Sequence, residues 1–332
     1  MAEWLYEVGI GENRAALVDG GRIVEMLVER DDAATPRVGA ICRAKLTRKA
    51  DGSGRGLVML DDGSQAQLQP VPSGLTEGAS LMVEVIREAL REGVETKPPR
   101  VRAATSDTAT EGPDLRARLA ASGLPVRTPG AGPDLLETHG WSEALEEAAS
   151  GIVATPQILL RIALTPAMTL IDVDGAGAPA DVALAGARAS GEAIRRFGIA
   201  GSIGIDLPTV ADKAGRQAAA AALDEVLPQP FERTAVNGFG FLQIVRRRAR
   251  ASLIETLQAD PVLAAALALL RRAERTPGHG GLTLLANPAV TARLEARPDW
   301  IDALARALGA SVGLRSDQAL AISAGHASRA QN

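Results

Sequence analysis

Two aspartates each close a short apolar run. Asp172 lies in Met168-Thr-Leu-Ile-Asp-Val-Asp174, and Asp206 ends Gly201-Ser-Ile-Gly-Ile-Asp206. Ligands of parallel sheets sit at the carboxyl ends of the strands, so acids placed there face a crevice. Two carboxylates held close together repel each other unless a cation or a proton lies between them. A hard cation such as Mg²⁺, with Mn²⁺ as the alternative, uses one or two carboxylates together with water and phosphate oxygens. Such an ion can activate water and stabilise charge on a phosphodiester. Asp174 points to the same side of the strand as Asp172 and is a third candidate ligand. The competing reading is that acids following buried strands cap the next helix, a role that Asp181 suits.

The elements that must position these acids read as strand, helix, strand, helix. The first apolar run leads into a helix from about Asp181 to Phe197, ended by Gly198, and the second into a helix near 211–226. Short loops between such elements imply parallel strands joined by a crossover. Residues 234–245 form a further strand or pair of strands and run into Arg246-Arg-Arg248, a candidate phosphate contact. Gly175-Ala-Gly177-Ala-Pro-Ala180 matches a dinucleotide fingerprint, but Asp172 and Asp174 just before it would repel a pyrophosphate.

Upstream, Asp19-Gly-Gly21 between two apolar runs is a hairpin signal. From 38 to about 95, short strands alternate with turns, among them Asp51-Gly-Ser-Gly54, and suggest a five-stranded barrel of the OB type. Lys45, Arg48 and Lys49 give it a basic flavour and are candidate RNA contacts. Residues 97–113, rich in proline, threonine and charge, read as a connection, with helical periodicity at 115–121 and 142–149. The last segment reads as a small α/β unit, with a strand at 281–285, helix starts at Asn287-Pro288 and Arg297-Pro-Asp299, and closing strands at Val312-Gly-Leu-Arg and Leu320-Ala-Ile-Ser.

The 332 residues are 46% hydrophobic and 23% charged, ordinary for a globular protein, while aromatics at 2% leave small and branched aliphatics to build the core. A net charge of −4 does not decide for or against nucleic acid, since clustering of basic residues governs binding. Cys42 is the only cysteine, which excludes an intramolecular disulfide and a cysteine-rich structural zinc site. No apolar run spans a bilayer and the start lacks a signal-peptide pattern, so a cytoplasmic protein is expected.

Taken in order, these segments resemble the ribonuclease E/G family. Thr169-Leu-Ile-Asp-Val-Asp-Gly175 and Gly204-Ile-Asp206 look like that family's metal-binding strands. Residues 235–248 resemble its R-F-G-L-x-E-M-[ST]-R-x-R segment, the start from Glu12 to Gly20 its opening strand pair, and 38–95 its inserted S1 domain. The resemblance implies a Mg²⁺-dependent endoribonuclease acting on single-stranded RNA, with Asp172 and Asp206 catalytic and binding the ion. It also implies an α/β protein with a discontinuous ribonuclease H-like subdomain (1–37 and 112–165), an S1/OB-like domain (38–98) and a linker (99–111). A deoxyribonuclease I-like metal-binding subdomain (166–255) and a C-terminal unit (256–332) complete it.

Departures from the family bear on activity. Its 5′-phosphate sensor and zinc-binding cysteine pair have no counterpart, which leaves a homodimer through the C-terminal unit as one route to assembly. Asp174 stands where the family has asparagine, Gly238 where it has arginine and Gln243 where it has glutamate. Met59 and Leu68 stand where aromatics would stack on bases, which weakens single-strand binding. The alternative to a nuclease is an RNA-binding or regulatory relative with reduced or lost cleavage.

Overall fold

The computed structural model describes residues 1–31, 36–49, 52–92, 95–130 and 133–329, so Asp51 of the expected barrel turn lies outside them. The chain opens with strands β1 (Glu3–Val8), β2 (Glu12–Asp19) and β3 (Arg22–Arg30). The β2–β3 hairpin turns on Gly20 and Gly21, whose φ values of 56° and 79° suit the two-residue turn expected there. One face of this sheet enters the main core through Leu5, Ala16 and Met26. Trp4, Tyr6 and Leu17 on the other pack against helix α1 (Leu115–Ala121).

Between β3 and α1 the chain builds β4 (Ile41–Lys49), β5 (Gly56–Leu60), β6 (Gln65–Leu68) and β7 (Ser80–Arg87). A small hairpin of β8 (Leu90–Glu92) and β9 (Glu95–Lys97) follows. Then β10 (Arg100–Ala103) closes a five-stranded barrel in the order β10-β6-β5-β4-β7. Residues 99–111 are therefore more than a linker. Val101 is fully buried and pairs with Leu68 and Val85, so the barrel would stand open without it. Entry and exit of the barrel meet where Ile41 bridges Thr110 and where a Cβ on Gly112 would come within 2.7 Å of the Ala40 nitrogen.

Next, β11 (Val126–Arg127) returns to lie parallel to β1, and α2 (Leu135–Thr138) and α3 (Trp141–Ser150) lead into the central sheet. Its strands are β12 (Ile152–Ala154), β13 (Ile158–Leu164), β14 (Thr169–Gly175), β15 (Gly201–Asp206), β16 (Glu232–Arg233) and β17 (Phe241–Arg246). They lie in the order β12-β13-β14-β15-β17-β16. The boundary expected between 165 and 166 falls inside the β13–β14 hairpin, where Leu164 pairs with Thr169, so both strands belong to one sheet.

Helix α4 (Pro179–Arg196) crosses from β14 to the parallel strand β15, and α5 (Lys213–Val226) follows β15. Both lie on one face of the sheet. Small residues permit the close approach: a Cβ on Gly186 would stand 2.2 Å from Val173 Cγ1, and one on Gly191 2.7 Å from Val226 Cγ2. The apolar run of β14 suggests burial on both faces, but the strand alternates. Thr169, Ile171 and Val173 face the helices, while Leu170, Asp172 and Asp174 face outward. On that outer face Ile152, Leu170 and Val245 are exposed.

The chain ends with α6 (Leu253–Ala259), α7 (Pro261–Glu274), β18 (Leu282–Ala286), α8 (Pro288–Glu295), α9 (Pro298–Leu308), β19 (Val312–Ser316) and β20 (His326–Arg329). The closing strand expected at 320–323 lies instead at 326–329, because the Leu320 carbonyl is held by Asn287 Nδ2 at 2.8 Å and Ala327 pairs with Leu284. A buried ionic cluster locks this unit to the N-terminal sheet. Glu7 accepts from Arg14 and Arg271, each at 3.1 Å, and from Arg275. The protein is thus a mixed α/β chain carrying a closed barrel. Among the described residues no single helix is long and apolar enough to cross a membrane.

Candidate metal centre on the open face of the central sheet

Asp172 and Asp206 are direct register partners on the parallel strands β14 and β15. Neighbouring strands lie about 4.8 Å apart, and partners in register point to the same face. Both side chains are exposed, on the face opposite the helices. Two hard oxygen donors so placed can reach one divalent cation, and the exposed side leaves room for water and phosphate oxygens. The donor set therefore fits an ion held by Asp172 and Asp206.

Asp174 and Asp172 share an arginine partner. Arg161, from the neighbouring strand β13, donates from Nη1 to Asp172 Oδ2 at 3.2 Å and also to Asp174 Oδ2. Those contacts, with Asp174 first and Asp172 second, hold the Arg161 guanidinium protonated above its ordinary pKa. Among the described residues no group of three or more His, Cys, Asp and Glu side chains is arranged to hold an ion. The expected third ligand is thus an arginine partner in this structure. Its expectation rested on strand alternation, which is correct, but alternation says nothing of what the adjacent strand presents.

The residues around Asp206 explain the Asn237-Gly-Phe-Gly-Phe241 motif. Asn237 Oδ1 accepts from the amides of Phe239 at 2.9 Å and Phe241 at 3.0 Å, and the Gly240 amide donates to the Asn237 carbonyl at 3.2 Å. Gly240 has φ 93° and sits so close to the next element that a Cβ would fall 2.0 Å from the Leu207 oxygen. This turn delivers Phe241 opposite Asp206. The Phe241 ring lies over Gly204, where a Cβ would approach Cζ to 2.5 Å. Phe239 projects from the turn 84% exposed.

The basic residues lie elsewhere. β17 runs antiparallel to β15 with Phe241 opposite Asp206 and Arg246 opposite Gly201. Five residue steps of strand put Arg246 about 17 Å along the sheet from the acidic end. Arg246 is half-buried and donates to the Ile199 carbonyl at 2.9 Å, and burial pulls its pKa down, so its guanidinium serves the fold. Arg248 pairs with Glu255 of α6. Lys45, Arg48 and Lys49 are exposed on β4 of the barrel, apart from the carboxylate-bearing sheet. Leu68, expected on the barrel's binding surface, is fully buried in its core, and its neighbour Gln67 points outward instead.

Sequence reasoning missed Arg161, while Arg247 fell inside the run read as a candidate phosphate contact without being singled out. A lone charge within the apolar strand Ile158-Leu-Leu-Arg-Ile-Ala-Leu164 was the available signal for the first. No family model matches the chain, and no curated protein matches it.

Proposed function

We propose that this protein is a divalent-metal-dependent endoribonuclease acting on single-stranded RNA, a compact relative of the ribonuclease E/G family. The observation that carries the reading is the pairing in register of Asp172, midway along β14, with Asp206 at the carboxyl end of β15. The order of a ribonuclease H-like portion, an S1-like barrel and a deoxyribonuclease I-like sheet belongs to the same reading. Asp172 and Asp206 would hold Mg²⁺ or Mn²⁺. A bound ion would lower the pKa of an attacking water and offset charge building on the phosphodiester. Phe241 lies opposite Asp206 and Phe239 projects from the turn just before it, and an unpaired base can stack on such rings only if the strand is single. The open face has space for an extended chain, and its acids bring a phosphate close only once a cation offsets their charge.

One observation favours a second reading. Arg161 contacts both Asp172 and Asp174 and supplies positive charge that the acids would otherwise draw from an ion. An RNA-binding relative with reduced or lost cleavage would keep the scaffold with this arrangement.

The test incubates a single-stranded RNA with the protein in Mg²⁺, Mn²⁺ or EDTA. Metal-dependent cuts that disappear in Asp172→Asn and Asp206→Asn support the nuclease. RNA bound but intact in every divalent metal sinks it and leaves the binding protein standing.

A further inference from the structure

The barrel docks against the far end of the central sheet. The Glu88 amide, just past β7, donates to the Ala249 carbonyl at 2.8 Å, and Arg250 meets Glu88 at 3.6 Å. In this junction lies a cavity of about 250 Å³, lined by Arg87, Lys97 and Arg100 from the barrel side and by Arg247 and Arg248 from the end of β17. Among the described residues no carboxylate lines it. The volume equals that of about eight liquid waters at about 30 Å³ each, enough for a tetrahedral anion and part of its hydration.

We propose that this junction is a phosphate-binding subsite. Five cationic side chains converge on a small space, and guanidinium groups match phosphate oxygens through paired N–H donors. The Arg100 Nε is buried and has no hydrogen-bond partner, a donor that an anion would satisfy. Two lining side chains are already fixed: Arg87 donates to the Pro98 carbonyl at 2.6 Å, and Arg248 is held by Glu255. Groups anchored in advance lose less freedom when a ligand arrives.

The ligand is the phosphate of a nucleic acid, an inference that rests on the RNA reading of the acidic centre. Phe241, Gln243 and Val245 alternate onto the open face of β17, and Arg247 is the exposed residue just past the strand's end. Five strand steps separate Phe241 from Arg246, about 17 Å, with Arg247 next beyond. One extended strand can thus lie along the open face with a phosphate in the junction and a later linkage beside Asp172 and Asp206. That phosphate is either internal or the terminal group of a 5′-phosphorylated strand.

Fluorescence anisotropy in EDTA distinguishes the sources, using one labelled single-stranded oligoribonucleotide made with a 5′-phosphate and with a 5′-hydroxyl. The variants are Arg100→Gln, Arg247→Gln and their double. Arg247 is exposed, so its variant tests the subsite without disturbing the barrel, and thermal melts followed by circular dichroism check that all three fold. Each single change is expected to weaken binding by roughly tenfold, the scale of one charge-assisted hydrogen bond. The salt dependence of log K should flatten by about 0.7 for each phosphate that the variant no longer neutralises. Equal loss for both probes assigns an internal phosphodiester, and loss confined to the 5′-phosphorylated probe assigns a terminal phosphate. Wild-type binding that the folded variants retain overturns the subsite and leaves the acidic centre untouched. Wild-type protein that binds neither probe overturns both readings. Binding that the variants lose, in a protein that never cuts RNA with Mg²⁺ or Mn²⁺, keeps the subsite and removes the nuclease.

Discussion

Replacing Gly240 by alanine should damage the acidic centre from behind, and the cost can be worked from the turn that holds Asp206. At φ 93° an L-residue is strained, which costs about 1–3 kcal/mol. The new methyl group would also fall 2.0 Å from the Leu207 oxygen, so the Leu207–Phe241 segment must separate. Separation stretches the hydrogen bond from the Leu207 amide to the Gly240 carbonyl, 3.2 Å in this structure and worth about 1 kcal/mol. The sum is about 2–4 kcal/mol of lost stability. Leu207 follows Asp206 directly, so the same shift displaces the carboxylate. The control is two residues away: Gly238 has open space around its would-be Cβ, and Gly238→Ala should stay within about 0.5 kcal/mol of wild type. Urea unfolding followed by circular dichroism measures the stabilities, and Mn²⁺ titration followed by electron paramagnetic resonance reads the site. Equal stability losses in the two variants, or unchanged Mn²⁺ affinity in a destabilised Gly240→Ala, would refute the reasoning.

Three further outcomes are expected. Phe239→Ala should weaken single-stranded RNA binding in EDTA by about 1–3 kcal/mol, the worth of one stacked base, with no change in melting because the ring is 84% exposed; unchanged anisotropy curves would count against a base there. Arg161→Ala should tighten Mn²⁺ binding by removing the cation that competes for Asp172, and equal or weaker binding would show that Arg161 assists the ion. Burial raises the Glu274 carboxyl above its ordinary pKa of 4.5, against the opposing pull of Arg14. The folded state therefore holds that proton more tightly than the unfolded chain, and the group costs stability as pH rises from 4.5 through the raised value. Glu274→Gln should accordingly gain stability relative to wild type at neutral pH and lose that gain below pH 4.5, as read from melting temperatures across the range.

The acidic pair was legible because crossover spacing and alternation are local properties of the chain. The βαβ rule makes the strands of Asp172 and Asp206 parallel neighbours, although β14 runs on to Gly175, so that Asp172 lies within its strand and not at its end. Legibility failed wherever a contact depended on which elements pair. Arg161 meets Asp174 through antiparallel pairing that no local pattern encodes, and Arg246 reads as a surface cation until the Ile199 carbonyl appears beside it. The fifth barrel strand hid for a related reason. Arg100-Val-Arg-Ala103 has one apolar residue that matters, and its burial depends on the other four strands. His326-Ala-Ser-Arg329 was obscured in the same way, as a polar strand whose sole core contributor is Ala327.

The neck of the barrel carries a consequence of another kind. Its two connections touch, with Ile41 bridging Thr110 and Gly112 against Ala40, so the chain leaves the module almost where it entered. A loop closed at its own base can be lengthened, exchanged or excised by a single recombination event, because the flanking strand β3 and helix α1 need not move. What would be forfeited is lateral: the Glu88–Ala249 and Arg250–Glu88 contacts and the cationic pocket that only the two halves together enclose. Lineages could therefore trade the barrel as cargo while the acid-bearing sheet descends intact.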